Sequence, residues 1–507
     1  MKQTCATAFD NDRYIELQSA AITERAARFG NKLYLEVGGK ILQDLHAARV
    51  LPGFDPDVKI RMLRKMKDQI DVLVCVFAGD IEHKRFRADF GTTYDNEVLR
   101  LIDDVRSWGL RVRAVVMTRF EPKMRAAASF AAKLERLGIE VVKHGATVGY
   151  PDDVDRILSE EGYGQNPFVE SERPIVAVIG PGPSSGKLAT CLTQLYHENR
   201  CGAKAGYAKY ETFPVWSLPL NHPVNSAYEA ATVDIQDFNQ IDPFHLEAYG
   251  KTAVNYNRDV AAFPILRSLL TRVMGDDVYQ SPTDMGVNMV GSAITDDKAV
   301  REASRQEIIR RMFRGSCGFA MGRTEPHEQE RLKTLMRNLG LVDTDRIVVA
   351  PARKAATEAQ VAGGGFRGIC CGAAIQLHDG TIVTGKNSPL LYAASSLILN
   401  ALKQLAGIPD WIHLLPENVT QCLTELKSQT LGQRASNLNV EELLIALGIS
   451  GLYSNAAQKA LEKLPELKDC DLHMTHITTA ADEAGLRRLG VRLTTDPAYP
   501  TKELFVP

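Results

Sequence analysis

The residues with the most definite chemistry run from Ile175 to His197. An apolar run, Ile175-Val176-Ala177-Val178-Ile179, enters Gly180-Pro181-Gly182-Pro183-Ser184-Ser185-Gly186-Lys187, and a helical pattern continues from Leu188 to about His197. A strand, a glycine-bearing loop, a lysine and a helix start, in that order, build a cradle for an anion. Loop amides face the phosphate, the positive end of the helix favours it, and the ammonium reaches its outer oxygens. The common spacing G-x-x-x-x-G-K-[ST] fails at its first glycine, because Pro181 stands five before Gly186. Gly180 stands six before and fits a loop one residue longer. Gly182 adds a position without a Cβ, where the backbone turns its N–H groups freely. The expected binding set is Gly180, Gly182, Ser184, Ser185, Gly186 and Lys187. Position 188 is Leu where a magnesium-binding hydroxyl belongs, so Mg2+ is not implied; Ser184, Ser185 or Thr190 are the nearby hydroxyls. The competing reading is a Gly/Pro-rich turn that binds nothing.

A second group lies in Ile241–Thr252, where Asp242, His245, Glu247 and Lys251 fall close together in a polar, aromatic stretch. A base, two carboxylates and a lysine suit proton transfer or an oxygen–nitrogen metal site, against a plain structural loop with His245 held by a carbonyl. Arg258 follows and can grip a carboxylate or phosphate with two prongs. In Ser281–Met289, Asp284 reads as a helix N-cap ahead of a metal or ribose partner. Gly38-Gly39-Lys40 after Leu33–Val37 is a weaker anion candidate, with a strand–helix turn as the default.

Other chemistries are excluded. A zinc protease needs H-E-x-x-H, and both His197-Glu198 and His327-Glu328 lack the second histidine. There is no G-x-S-x-G elbow. The hairpin around His378-Asp379-Gly380 lacks the zinc-deaminase signatures. No metal ligand set is expected.

These residues need strands and helices to position them. Leu33–Val37, Val72–Phe77, Val112–Met117 and Glu140–Val142 read as strands, of which Val72–Phe77 is continuously apolar. Lys59–Gln69, Asn96–Trp108 and Met124–Leu137 read as amphipathic helices between them. That alternation predicts a parallel sheet covered on both faces. Lys204–Tyr210 is the next strand after the glycine loop, and Phe213–Asn225 and Ile241–Arg258 read as long irregular segments. Further on, Ala299–Arg311 reads as a helix. Ala373–Leu377 and Thr381–Thr384 form a hairpin across Asp379-Gly380, and Leu390–Leu405 is the helix after it. Ile412–Leu415 reads as a short strand, and His473–Thr478 and Val491–Thr494 as closing strands. The expected organisation is α/β and multidomain. It comprises a Rossmann-like domain over 1–165, a P-loop-like α/β domain over 166–345 and a smaller C-terminal α/β domain over 346–507.

The 507 residues are 45% hydrophobic and 24% charged, ordinary globular values, with a formal charge of -2. Nothing in that balance favours nucleic acid or a membrane surface. Nine scattered cysteines without a C-x-x-C pair read as reduced thiols. No apolar h-region opens the chain and no run is long enough to span a bilayer. The expectation is a cytoplasmic protein, a homo-oligomer as large α/β proteins often are.

Two resemblances add to this. The loop length, followed by Ala205-Gly206-Tyr207-Ala208-Lys209, is similar to dethiobiotin-synthetase-like P-loop proteins, which implies a Lys209 beside the phosphates. Across nearly the whole chain, phrases such as FGNKLYLEVGGK (29–40), GPGPSSGKLATCLTQLYHE (180–198), IDPFHLEAYGKTAVNYNRDV (241–260) and SPTDMGVNM (281–289) resemble an uncharacterised bacterial UPF-type family, domain of unknown function 1846. That family brings no established activity. The residues themselves suggest an enzyme that binds ATP or another phosphorylated ligand and transfers a phosphoryl or acyl-phosphate group. In it Lys187, Lys209 and Arg258 offset charge while Asp242, His245 or Glu247 manage protons. The alternative is a non-catalytic nucleotide or metabolite sensor or assembly subunit.

Overall fold

A computed structural model describes residues 7–87, 92–433 and 436–501. The chain forms two compact units, one spanning Ala6–Ser304 and the other beginning at Arg305. The first is built on a seven-stranded, all-parallel sheet. Its strand order is 286–287, 206–210, 33–37, 175–179, 70–77, 111–118, 141–143. The central strands Leu33–Val37 and Ile175–Ile179 are buried throughout. Strands covered on both faces are mostly apolar rather than alternating, as these are; the one charged position, Glu36, is buried and hydrogen-bonded to Tyr207.

The strands expected for two separate domains therefore share one sheet. Ile175–Ile179 inserts between Leu33–Val37 and Ile70–Phe77, pairing Val178 with both Glu36 and Leu73. No sequence boundary near 165 reveals this, because a parallel strand joins its neighbours through long crossovers from anywhere in the chain. The insertion has a functional consequence. From Leu33–Val37 the chain crosses one way to Ile70–Phe77; from Ile175–Ile179 it crosses the other way to Gly206–Tyr210. With right-handed crossovers, these two adjacent strands send their connections to opposite faces. Such a switch point leaves a crevice beyond the carboxyl ends of the strands. Helix Lys187–Arg200 lies on one face, where Tyr34 donates to Glu198 at 2.8 Å. Helix Asn11–Arg28 lies on the other, where the Tyr14 and Tyr210 hydroxyls meet at 3.1 Å.

The segment Ile241–Arg258, expected to be irregular, is largely ordered. Asn239–Ile241 pairs antiparallel with Val254–Tyr256, and the helix Pro243–Tyr249 sits between them. Proline at the first helical position and Asp242 as N-cap start this helix. Gly250 ends it in the left-handed region at φ 63°.

The second unit carries a four-stranded mixed sheet in the order 382–386, 372–376, 471–474, 492–495. The hairpin Gly372–Gln376/Ile382–Lys386 turns at Gly380, φ 87°, as its Asp-Gly pair predicts. Leu397, Ile398, Leu443, Leu447 and Leu472 lie in its core. No strand forms at 412–415, where the segment is bend and irregular. It is short and bracketed by Pro409 and Pro416, and no neighbouring strand pairs with it.

Candidate functional site

The loop Gly180–Gly186 leaves the central strand at the switch point and ends at Gly186, which caps helix Lys187–Arg200 in the left-handed region at φ 90°. Two side chains at the end of the 111–118 strand, which 70–77 separates from 175–179, fix its path. Thr118 Oγ1 donates to the Ser185 carbonyl at 2.8 Å, and the Arg119 guanidinium donates to the Ser184 carbonyl at 2.5 Å. Arg119 also lies flat on Phe77, its guanidinium carbon 3.6 Å from the ring centroid. Burial against that ring lowers its pKa, partly offset by Asp80.

With those carbonyls engaged, the loop's donors remain. Pro181 and Pro183 have no amide hydrogen. The amides of Gly182, Ser184, Ser185 and Gly186 and the first helical amides at 187–189 have no acceptor among the described residues. Lys187 has no hydrogen-bond or ion-pair partner among them either. The three glycines are explained by the protein's own packing. A Cβ at Gly180 would lie 2.8 Å from the Cys75 carbonyl, one at Gly182 2.8 Å from the Tyr94 hydroxyl, and one at Gly186 2.6 Å from Thr118 Cγ2. What points to an anion is therefore the open donors and the free ammonium, not the glycines.

The hydroxyls weighed in place of Leu188 differ in setting. Thr190 is fully buried and accepts from the Cys75 thiol at 3.3 Å, with burial pushing that thiol up to about 12. Ser185 Oγ is buried without a partner, turned back toward Gly180. Ser184 is exposed. No group of three His, Cys, Asp or Glu among the described residues is arranged to hold a metal.

Lys209 does not stand free beside the loop. Its ammonium lies 2.5 Å from Asp259 and 3.1 Å from Glu211. Burial works against the charge, but Asp259 and Glu211 outweigh it and raise the lysine's pKa. A lysine held by two carboxylates contributes less positive charge to a phosphate two strands away than a free one. Arg258 is paired with Asp237 at 2.9 Å, which leaves its own half-exposed fork partly available.

The remaining candidates gather on the helix Pro243–Tyr249. Asp242 is fully buried and both oxygens are committed. One caps His245 N at 3.0 Å, and the other accepts from Thr283 N at 3.1 Å and Thr283 Oγ1 at 2.7 Å. That makes Asp242 a connector between two helix starts. His245 Nδ1 shares a hydrogen bond with Ser281 Oγ at 2.9 Å and its ring packs on Tyr249. Glu247 is exposed on the outer side. Asp284 is not the cap expected of it. Ser281 accepts from Asp284 N, while the Asp284 carboxylate accepts from Tyr249 and Gln280.

The sequence reading missed Thr118, Arg119, Glu36 and Glu211. The signal was present: in a parallel sheet, the residues just past a strand's carboxyl end face the crevice. Glu36 is buried and accepts from the Tyr207 hydroxyl at 2.6 Å. Glu211 lies over Gly38, where a Cβ would sit 2.3 Å from its Cγ.

Comparison with known proteins places the chain. The family described as domain of unknown function DUF1846, N-terminal, matches residues 7–340, and its C-terminal counterpart matches 344–505. This chain belongs to the DUF1846 family. Relatives from Clostridium botulinum carry the name UPF0371 protein. The one from strain Alaska E43 is 51% identical over 498 residues, covering 98% of this chain and 99% of its own length. A UPF0371 protein of strain Loch Maree is 50% identical over the same span. The two DUF1846 regions meet between 340 and 344, whereas the compact units divide after Ser304, within the helix Asp297–Ala320. Among the described residues, no helix is long and apolar enough to cross a membrane.

Proposed function

We propose that the chain binds a phosphorylated small molecule, such as ATP or a phosphometabolite, at Gly182–Ala189, and that it catalyses phosphoryl or acyl-phosphate transfer. One observation carries this reading: the loop amides and the Lys187 ammonium have no partner among the described residues, at the carboxyl edge of a parallel sheet's switch point. Several amides, a helix start and one cation directed to the same place suit a phosphate. Lys187 offsets charge on the outer oxygens, with Arg258 as a second cation near the crevice. The protein is cytoplasmic and works as a homo-oligomer on this reading.

A second reading, a non-catalytic nucleotide or metabolite sensor, is favoured by Leu188 in the magnesium-binding position and by Lys209 being neutralised by Asp259 and Glu211. A thermal-shift and isothermal titration series with ATP, GTP, pyrophosphate and inorganic phosphate, each with and without Mg2+, separates them. The binding reading requires a Tm rise that Lys187→Ala removes. Phosphate release or transfer that stops with Lys187→Ala establishes the enzyme; tight binding with no turnover establishes the sensor. Absence of any Lys187-dependent binding ends both.

A further inference from the structure

The crevice has a second set of groups that the phosphate cradle does not use, and it centres on Glu211. Val178, Glu36 and Lys209 lie side by side on adjacent strands. The ends of the 175–179 and 206–210 strands are thus two strand spacings apart, about 10 Å. Gly180 opens the cradle two residues beyond Val178, and Glu211 stands two residues beyond Lys209. Between them the central strand ends in Gly38-Gly39, with Gly39 at φ 65°. Glu211 Oε1 would be 2.5 Å from a Cβ at Gly38, so the glycine is what lets this carboxyl lean across the strand end toward the cradle.

The surroundings of Glu211 are polar, confined and incompletely bonded. Its neighbour Thr212 is buried with Oγ1 lacking a partner, the half-buried Asn239 has its Oδ1 without one, and the buried Tyr256 hydroxyl has only the Tyr228 hydroxyl within reach. Tyr256 and Asn239 stand directly opposite each other on paired strands. Tyr256 stacks on Tyr228, which stacks on Phe213, with ring centroids 5.6 and 4.9 Å apart. Buried hydroxyls and amides without partners cost free energy unless something completes them. The charged groups facing Glu211 are Lys209 on its own strand, Asp259 on the helix Asn257–Met274 and Glu36 on the central strand. Carboxylates outnumber ammoniums here, so a further anion is disfavoured. Neutral groups that both give and take hydrogen bonds fit instead.

We propose that Glu211, Thr212, Tyr256 and Asn239 form a subsite for hydroxyl groups, so that the ligand of the crevice is a phosphorylated polyol or sugar. Its phosphate lies at Gly182–Ala189 and its hydroxyl end lies by Glu211. This rests on the cradle reading above. Burial raises the Glu211 carboxyl, Lys209 lowers it and Asp259 raises it again, leaving it at about 7. It therefore donates to a hydroxyl oxygen when protonated and accepts from a hydroxyl when ionised.

Isothermal titration of the full chain with inorganic phosphate and with fructose 6-phosphate, plus fructose alone, tests it. The expected result is fructose 6-phosphate binding at least tenfold tighter than phosphate. Glu211→Gln and, separately, Tyr256→Phe should each cut that ratio several-fold, while Lys187→Ala weakens both phosphate ligands. Equal affinity for the two phosphate ligands, or a ratio untouched by both substitutions, overturns the subsite while leaving the cradle standing. If inorganic phosphate itself shows no Lys187-dependent binding, the cradle falls and takes this inference with it. Tyr256→Phe keeps the ring stack and so reports on the hydroxyl even if Glu211→Gln fails to fold.

Discussion

Thr118 Oγ1 donates to the carbonyl of Ser185 at 2.8 Å, across the end of the 70–77 strand that lies between theirs. This bond turns a loop carbonyl into the protein, where Thr118 is buried, and so fixes which way the adjoining peptide groups face. The loop Gly180–Gly186 is thus shaped from the side, by a residue 67 positions away in sequence.

Thr118→Val keeps the shape of the side chain but removes the donor. The Ser185 carbonyl then loses its partner in a buried setting, at a cost of about 1–3 kcal/mol. Urea unfolding should show that loss, and phosphate affinity should fall along with it because the loop is no longer held. Val in place of Thr with unchanged unfolding midpoint and affinity would show that the loop holds its own shape.

Gly186 and Gly202 bracket helix Lys187–Arg200, and both have positive φ, at 90° and 78°. An added Cβ at Gly202 meets nothing within 4 Å, whereas one at Gly186 lies 2.6 Å from Thr118 Cγ2. Gly202→Ala should therefore cost only the left-handed backbone strain, about 1 kcal/mol. Gly186→Ala adds a collision with a buried neighbour and should cost at least twice as much, with loss of anion binding. Comparing the two unfolding free energies separates conformation from contact.

Lys187→Ala should leave stability within about 0.5 kcal/mol, because the ammonium has no described partner to lose. The same change should abolish phosphate-dependent stabilisation in a thermal-shift titration. Function and fold are separable at this residue, which is not so at Lys209. There, Lys209→Ala leaves Asp259 and Glu211 close together without their shared cation and should destabilise by several kcal/mol.

The sequence pattern made the strand, loop and helix around Gly180–Lys187 legible because these parts are local: strand, glycines, lysine and helix start lie within about 25 consecutive residues. Most strands of the large sheet were legible for the same reason, since burial writes a largely apolar run; the two-residue edge strand Gly286–Val287 was not, because its segment reads as a polar loop. Strand order was not. Nothing in Ile175–Ile179 says that it lies between Leu33–Val37 and Ile70–Phe77, and without that order Thr118, Arg119 and Glu211 have no reason to be grouped with Lys187. Asp242 is ambiguous for a different reason. A carboxylate beside a histidine reads as chemistry, yet N-capping uses the same residue type, and the second helix start it binds lies 41 positions on.

Glu211 gives a pH signature with a definite sign. Burial raises its carboxyl first, Lys209 counters and Asp259 reinforces, bringing it to about 7 in the folded chain from 4.5. Between those values the folded state binds more protons than the unfolded one, so this group's contribution to stability is fully present below about pH 4.5. It is then lost as pH rises to about 7 and stays constant above. With about a quarter of the side chain still exposed, the loss is on the order of 2 kcal/mol. Glu211→Gln cannot ionise and should flatten that part of the profile, making the variant relatively more stable at pH 8 than at pH 5. Unfolding free energies from urea titrations at pH 5, 6, 7 and 8 measure the slope. An unchanged slope in the variant would mean that the carboxyl titrates as an ordinary surface group. Lys209 would then hold it as a fixed anion, and the crevice would keep no proton at neutral pH.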